Sequence, residues 1–481
     1  MARFFMFQNK SGEYRFHKIK EIDRFMHDED KLILFRDFAE GEIFDSVWEI
    51  IHDYEDDILP DDDDDDWDDD DDDAWDDDDD DAWDIRTTFY EVFGGLIDYA
   101  QRFGFEGNLW QDYLTFLIVT HENPYSLSCE GRGMVDGSIN EIALHDFEIL
   151  KSLFDYPLGQ VADTCGVMLY PVIANYRRSS DEGVISFNPD IRDSIVHLSK
   201  ILANTDNAME FKDYCTGFYK DYGVGALGLH KAFRVIDGDD ETSIIPIENV
   251  SSMDLDDLIG YEYAKQKLIE NTESFLKGLP ANNCLLYGDA GTGKSSSVKA
   301  IMNRYYKDGL RVIEIYKHQF REINGIISSL KPRNYKFILF MDDLSFEEFE
   351  TDYKYLKAVI EGGLEVRPSN VLIYATSNRR HLIRESVSDK NDRDEDMHTS
   401  DTVQEKTSLA ARFGMQIYYG KPSSTEFREM VKILAIRNGC KMPENELLEE
   451  ANKWEVAHGG YSGRCARQFI DYILGREGFT A

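Results

Sequence analysis

Through the first half of the chain, apolar residues return every three to four positions, the spacing of one buried helix face. Phe89, Val92, Phe93, Leu96, Ala100 and Phe103 form one such stripe, and Ile191, Ile195, Leu198 and Leu202 another. Ser138, with Glu141 three residues on, predicts a capping box opening a helix through Phe147, Leu150 and Phe154. These stripes read as core rather than as a cofactor site. From about residue 251 the texture changes. Short apolar runs predict five strands, at Cys284–Tyr287, Val312–Tyr316, Phe337–Met341, Val371–Thr376 and Met415–Tyr419, with helical stretches between them. Strands alternating with helices predict an α/β fold with a parallel sheet and crossover helices. The expected organisation is a mainly helical front domain (1–60 and 85–245), a sheet domain (250–422) and a helical tail (423–481).

A chain of 481 residues with 42% hydrophobic content is long enough for two or three such domains. Charge sharpens the division. The net charge is −42, yet residues 251–481 sum to −3, which leaves −39 in the first 250 residues. The 19 Asp between Asp61 and Asp84 supply about half of that, in runs of six broken by Trp67, Ala74-Trp75 and Ala82-Trp83. Like charges at every i,i+4 spacing repel and Asp is a poor helix former, so 61–84 is expected to be a solvated, disordered insertion. A weak sponge for divalent cations, a mimic of nucleic-acid charge and a bait for a basic partner all remain open for it. Coating nucleic acid with the whole chain is excluded, since that needs a basic face. The six Cys show no C-x-x-C pair and no zinc-like spacing, and are expected as reduced, mostly buried thiols. No signal-peptide pattern opens the chain and no window approaches ~18 apolar residues, so a cytoplasmic protein with no membrane partner is expected.

The chemistry lies in the sheet domain. The first of the five strands runs into Gly288-Asp289-Ala290-Gly291-Thr292-Gly293-Lys294-Ser295, a complete G-x-x-x-x-G-K-S phosphate loop, with Ser296 opening the helix behind it. Glycines let backbone N–H groups turn in around a β-phosphate, and the helix N-terminus adds its positive dipole end. Lys294 is expected to reach the β- and γ-phosphates, and the Ser295 hydroxyl to hold Mg²⁺. The third strand ends in Asp342-Asp343, at the edge where open α/β sheets bind ligands. Asp342 is the natural Mg²⁺ partner, and Asp343 the group to orient or deprotonate water. The fourth strand ends in Ser377-Asn378, whose amide is placed to hold that water, and Arg379 and Arg380 follow. Gly223-Val-Gly225-Ala-Leu-Gly228 also matches G-x-G-x-x-G, but no apolar strand precedes it, and a flexible interdomain hinge is the better reading.

Together with Arg412 just before the fifth strand (SLAARFG) and Arg464 on a late helix (YSGRCARQF), this set resembles the AAA+ ATPase core. The resemblance implies a five-stranded parallel sheet with flanking helices and a C-terminal helical lid. It also implies Asn378 as sensor 1, Arg412 as a finger reaching a neighbour's nucleotide, Arg464 as sensor 2, and homo-oligomerisation. DLIGYEYAKQKLIENTESFLKG resembles the segment lining the adenine pocket, which implicates Ile259, Gly260 and Tyr261. PANNCLLYG, MDDLSFEE and YATSNRRHL are similar, more narrowly, to a bacterial family of predicted AAA+ ATPases with no defined cellular role, over roughly 220–481. Two departures stand out: no pore-loop aromatic–hydrophobic–Gly signature, and a polar insertion at 388–406 ahead of Arg412.

The leading expectation is therefore a Mg²⁺-dependent ATPase acting on an unknown protein client. A slow-turnover nucleotide-gated switch is the alternative, since Asp343 is one methylene shorter than the Glu common at that place. A loader for nucleic-acid machinery stays possible without being indicated. GTP is disfavoured because SNRRH stands where an N-K-x-D segment would read guanine.

Overall fold

The computed structural model describes residues 4–8, 14–18, 31–36, 42–58, 78–134, 136–178, 189–237, 242–247, 250–347, 350–361, 368–380, 382–383 and 409–480. The chain divides into two compact units, Met1–Gly225 and Ala226–Ala481.

The front unit is mainly helical. Its first described elements are an antiparallel pair, β1 (Phe4–Gln8) and β2 (Tyr14–Lys18), which helical periodicity gave no hint of. The stripe from Phe89 to Phe103 forms the helix Asp78–Phe103 and buries Ile85, Phe89, Val92, Phe93, Leu96 and Ala100. That helix corrects the expected insertion at 61–84, because its last seven residues, Asp78–Asp84, are helical. Burial of the stripe carries the helix upstream, and acidic side chains at a helix N-terminus suit the macrodipole. The rest of the Asp/Trp tract lies outside the described residues. The helix expected after Ser138 spans Ile139–Asp155, but Ser138 takes a helical backbone and makes no side-chain cap bond, so the capping box does not form. On that helix Asp146 is fully buried. Its carboxylate accepts backbone N–H bonds from Ile33, Leu34 and Phe35 at 3.1, 2.7 and 3.1 Å, which ties the segment 31–36 to the core.

The second unit is a seven-stranded sheet in the order β4-β3-β6-β7-β8-β5-β9. The five expected strands are β5 (Cys284–Gly288), β6 (Leu310–Glu314), β7 (Lys336–Met341), β8 (Val371–Ser377) and β9 (Met415–Tyr419), all parallel. The two additional strands, β3 (Ala232–Asp237) and β4 (Thr242–Pro246), form an antiparallel hairpin whose β3 runs parallel to β6. The boundary expected at 245 is thus displaced to Gly225, because the hairpin completes an edge of the sheet. The division between the units falls within the Gly-rich segment, whose last residues are held inside the second unit. Arg311, buried between the rings of Tyr306 and Tyr335, donates to the carbonyls of Leu227 and Gly228 at 2.8 Å each.

Both faces of the inner parallel strands β5 to β8 are covered, which explains their largely apolar runs, whereas the edge strand β9 leaves Gln416 and Tyr418 exposed. Leu285, Ile313, Leu339 and Ile373 pack with Ile323 and Ile326 of the helix Ile323–Leu330 and with Leu356 of Tyr353–Glu361. Cys284, Leu286, Phe340 and Tyr374 pack with Leu268 of the helix Glu262–Leu276 and Ile301 of Lys294–Tyr305. The tail folds as three helices, Ser424–Arg437, Glu444–Ala457 and Gly463–Thr480, around Phe427, Val431, Leu447, Phe469 and Ile470. Five of the six Cys are buried, and all six are free thiols. Among the described residues no helix is long and apolar enough to cross a membrane.

Candidate nucleotide-binding site

Register sets the site. Phe340 and Met341 of β7 lie opposite Tyr374 and Ala375 of β8, and Tyr287 of β5 lies opposite Ser377. The carboxyl ends of three adjacent strands therefore deliver the phosphate loop, the acid pair and Asn378 to one place. Beside them opens a cavity of about 540 Å³, lined by Ala290 to Ser296, by Asp342, Asp343, Thr376 and Asn378, and by Arg464.

The loop's conformation requires its glycines. Gly288, Gly291 and Gly293 all have positive φ, and a Cβ on Gly288 would sit 2.0 Å from the Tyr419 carbonyl oxygen, an overlap no side chain survives. Asp289 anchors the turn: its N–H donates to the Tyr419 carbonyl and its carboxylate accepts from the Lys421 N–H, both at 3.0 Å. Thr292 closes the loop by donating to the Asp289 carbonyl at 2.8 Å.

Lys294, buried at the start of its helix, spends its three donors on the Gly288 carbonyl (3.1 Å), the Asp289 carbonyl (2.6 Å) and Asn378 Oδ1 (2.9 Å). Burial lowers its ammonium below the ordinary lysine value; Asp343, Asp289 and Asp342 oppose that shift and Arg464 adds to it. Asn378 is a bridge, because its Nδ2 donates to Asp343 Oδ1 at 2.7 Å while its oxygen accepts from Lys294. Ser295 Oγ donates to Asp342 Oδ1 at 2.5 Å, which brings two hard oxygen donors together. Such a pair suits Mg²⁺, which takes one or two protein oxygens and keeps the rest for water and phosphate.

The helical tail supplies the opposite wall. The Arg464 N–H donates to the Gly291 carbonyl at 3.1 Å, at the start of the helix Gly463–Thr480, and Met430 and Leu434 add apolar surface. Ile259 and Tyr261 line the cavity. Gly260 does not line it; its φ of 84° makes the turn that sets Tyr261, itself left-handed at φ 61°. Tyr261 donates to the Gly420 carbonyl at 3.1 Å and lies 5.3 Å from the Tyr419 ring, and burial pushes its hydroxyl up to about 12.

Gly288 and Asp289 stand behind the loop rather than on the cavity wall, and Arg412 makes an ion pair with Glu361 at the end of the helix Tyr353–Glu361. Arg412 does not line this cavity. The insertion 388–406 lies outside the described residues. Sequence reasoning missed Thr376, Lys299 and Arg467, which also line the cavity. Arg467 had a legible signal, three residues after Arg464 and so on the same helix face. Thr376 had one too, as a polar residue inside an apolar strand.

Residues 229–477 match the model of a family described as "Protein of unknown function (DUF815)". A stretch of 71 residues is 41% identical to the replication factor C large subunit of Staphylothermus marinus, covering 15% of this chain and 16% of that protein. Solved structures of Thermotoga maritima RuvB overlap 46% of this chain. A proline-to-glycine point mutant matches at TM-score 0.33 and 17% identity over 64% of its length. The Holliday junction branch migration motor matches at TM-score 0.29 and 15% identity over 72% of its length. The chain thus spans a small part of the replication factor and about two thirds of the RuvB chains.

Proposed function

The chain belongs to the DUF815 family, and from that premise we propose that its second unit binds ATP with Mg²⁺ and hydrolyses it, to act on a protein client. The observation that carries this is the convergence of Lys294, Ser295, Asp342, Asp343 and Asn378 beside one cavity. Lys294, with the N–H groups of Gly291 to Ser296, would hold the β- and γ-phosphates. Ser295 and Asp342 would hold Mg²⁺, which when bound neutralises charge on the β- and γ-oxygens. Asp343 would take the proton of the attacking water, which Asn378 orients. Arg464 faces the same space from the lid, where a cation stabilises charge developing on the γ-phosphate. Ile259 and Tyr261 would bound the adenine. Arg412 would complete a neighbouring protomer's site in a homo-oligomer.

A second reading, a slow switch, draws on the short Asp343 side chain and on how these side chains are held among themselves. Lys294 has all three donors engaged, and Asp343 is already held by Asn378. One pair of variants tests the assignment. Asp342→Ala should lose Mg²⁺-dependent nucleotide binding, whereas Asp343→Asn should bind as the parent does and hydrolyse at least tenfold more slowly, since general bases contribute roughly 10²–10⁴-fold. Parent-rate hydrolysis by both would place the chemistry elsewhere.

A further inference from the structure

We propose that Thr376 is a positioning residue, a hydroxyl clamp that fixes both members of the acid pair for the Mg²⁺-dependent reaction assigned above, on which this inference rests. Thr376 sits on β8, 1% exposed, in a strand whose every residue is buried. The default at such a position is an apolar β-branched residue, and Thr has the shape of Val with a methyl exchanged for a hydroxyl. The hydroxyl both accepts and donates. Its oxygen accepts the Asp343 backbone N–H at 2.9 Å, and it donates to Asp342 Oδ1 at 2.6 Å. The directions follow from chemistry, because an N–H can only donate and an ionised carboxylate can only accept.

The two bonds do different things. The first holds Asp343 at φ 50°, a left-handed conformation found among the described non-glycine residues only here and at Tyr261. Strain of this kind persists only where surrounding contacts over-determine it. The Thr376 hydroxyl is one such contact, and the Leu344 N–H bond to the Thr376 carbonyl at 2.7 Å is another, one residue on. Together they aim the Asp343 carboxylate at Asn378. The second bond fixes the Asp342 oxygen that Ser295 also contacts, so the carboxylate that would hold Mg²⁺ is set by a neighbouring strand rather than by its own free rotamer. Groups that orient a metal ligand in this way typically govern 10- to 100-fold in metal affinity or activity.

The test compares Thr376→Val with Thr376→Ser in the full-length protein. Val should raise the Mn²⁺ concentration for half-saturation at least about tenfold, read by electron paramagnetic resonance with a non-hydrolysable ATP analogue. It should leave metal-free nucleotide affinity unchanged and should lower kcat more than it raises KM. Ser, which keeps the hydroxyl, should return Mn²⁺ binding and kcat toward the parent values. If Val does not fold, Ser and Ala differ by the hydroxyl alone, and Ala should show the same weakened Mn²⁺ binding. A parent that binds no nucleotide overturns the functional reading and this inference together. A parent that binds Mn²⁺ with nucleotide, and a Val or Ala variant that matches it, overturns the clamp alone.

Discussion

Asp112 in the front unit offers a stability test with a definite sign. It lies in the first turn of the helix Leu109–Thr120, 2% exposed, and its Oδ2 has no hydrogen-bond partner. Burial pushes its carboxyl from 3.8 up to about 7, while a hydrogen bond with Ser199 and the charge of Lys200 pull the other way. A carboxyl that holds its proton more tightly when folded costs nothing below its unfolded value. The cost of ionising it in the folded state then grows with pH and is complete above about 7. At 1.36 kcal/mol per pH unit, the full penalty is about 4 kcal/mol, of which about 2 kcal/mol accrues between pH 5.5 and 8. Asp112→Asn removes that slope. The amide carries its own pH-independent cost for an unpaired donor, about 1–3 kcal/mol, which cancels when two pH values are compared. Urea unfolding followed by Trp emission suits the question, because five of the six Trp, Trp110 among them, precede residue 226. The range from 5.5 upward keeps clear of the isoelectric point near 4.5. The variant should gain about 2 kcal/mol relative to the parent between pH 5.5 and 8. Parallel stability curves would refute the buried, protonated carboxyl.

Asp146→Ala should lower front-unit stability by about 3 kcal/mol or more, since it strands three N–H groups that now share a charged acceptor; denaturant unfolding with an unchanged midpoint would contradict this. For Arg412, specific ATPase activity should rise with protein concentration, and mixing Arg412→Ala with Lys294→Ala protomers should restore part of the activity each lacks. Fingers of this kind contribute roughly 10³-fold or more. No recovery on mixing would remove Arg412 from the proposed site.

The sheet domain was legible because the inner parallel strands β5 to β8 are largely buried on both faces and read as short apolar runs. All five strands appear within two residues of their expected ends. The hairpin β3–β4 escaped because it sits at a sheet edge, where Arg234, Ile236 and Ser243 remain exposed and the apolar run is interrupted. The phosphate loop, acid pair and Asn378 were legible because each stands at a strand end, where chemistry is carried by single residues at fixed offsets. Thr376 showed only as a polar residue inside an apolar strand, because its role comes from register between β7 and β8, which a linear pattern does not carry. Asp78–Asp84 misled in the opposite sense. Local propensity argued against a helix, but the buried stripe that follows draws those residues into one. The carboxylate of Asp146 likewise looked like one polar position on an amphipathic helix, and only tertiary contact with residues 31–36 reveals its purpose.

The most direct measurement is calorimetric titration of ATP, with and without Mg²⁺, into the full-length parent and into Lys294→Ala. The substitution removes the ammonium proposed to meet the phosphates and leaves the glycine-built loop in place. Parent protein should bind ATP, and more tightly with Mg²⁺, whereas Lys294→Ala, folded by circular dichroism, should lose at least about tenfold in affinity, a cost of about 1.4 kcal/mol. Equal affinity in the two proteins, or no Mg²⁺ dependence in the parent, would contradict the nucleotide site.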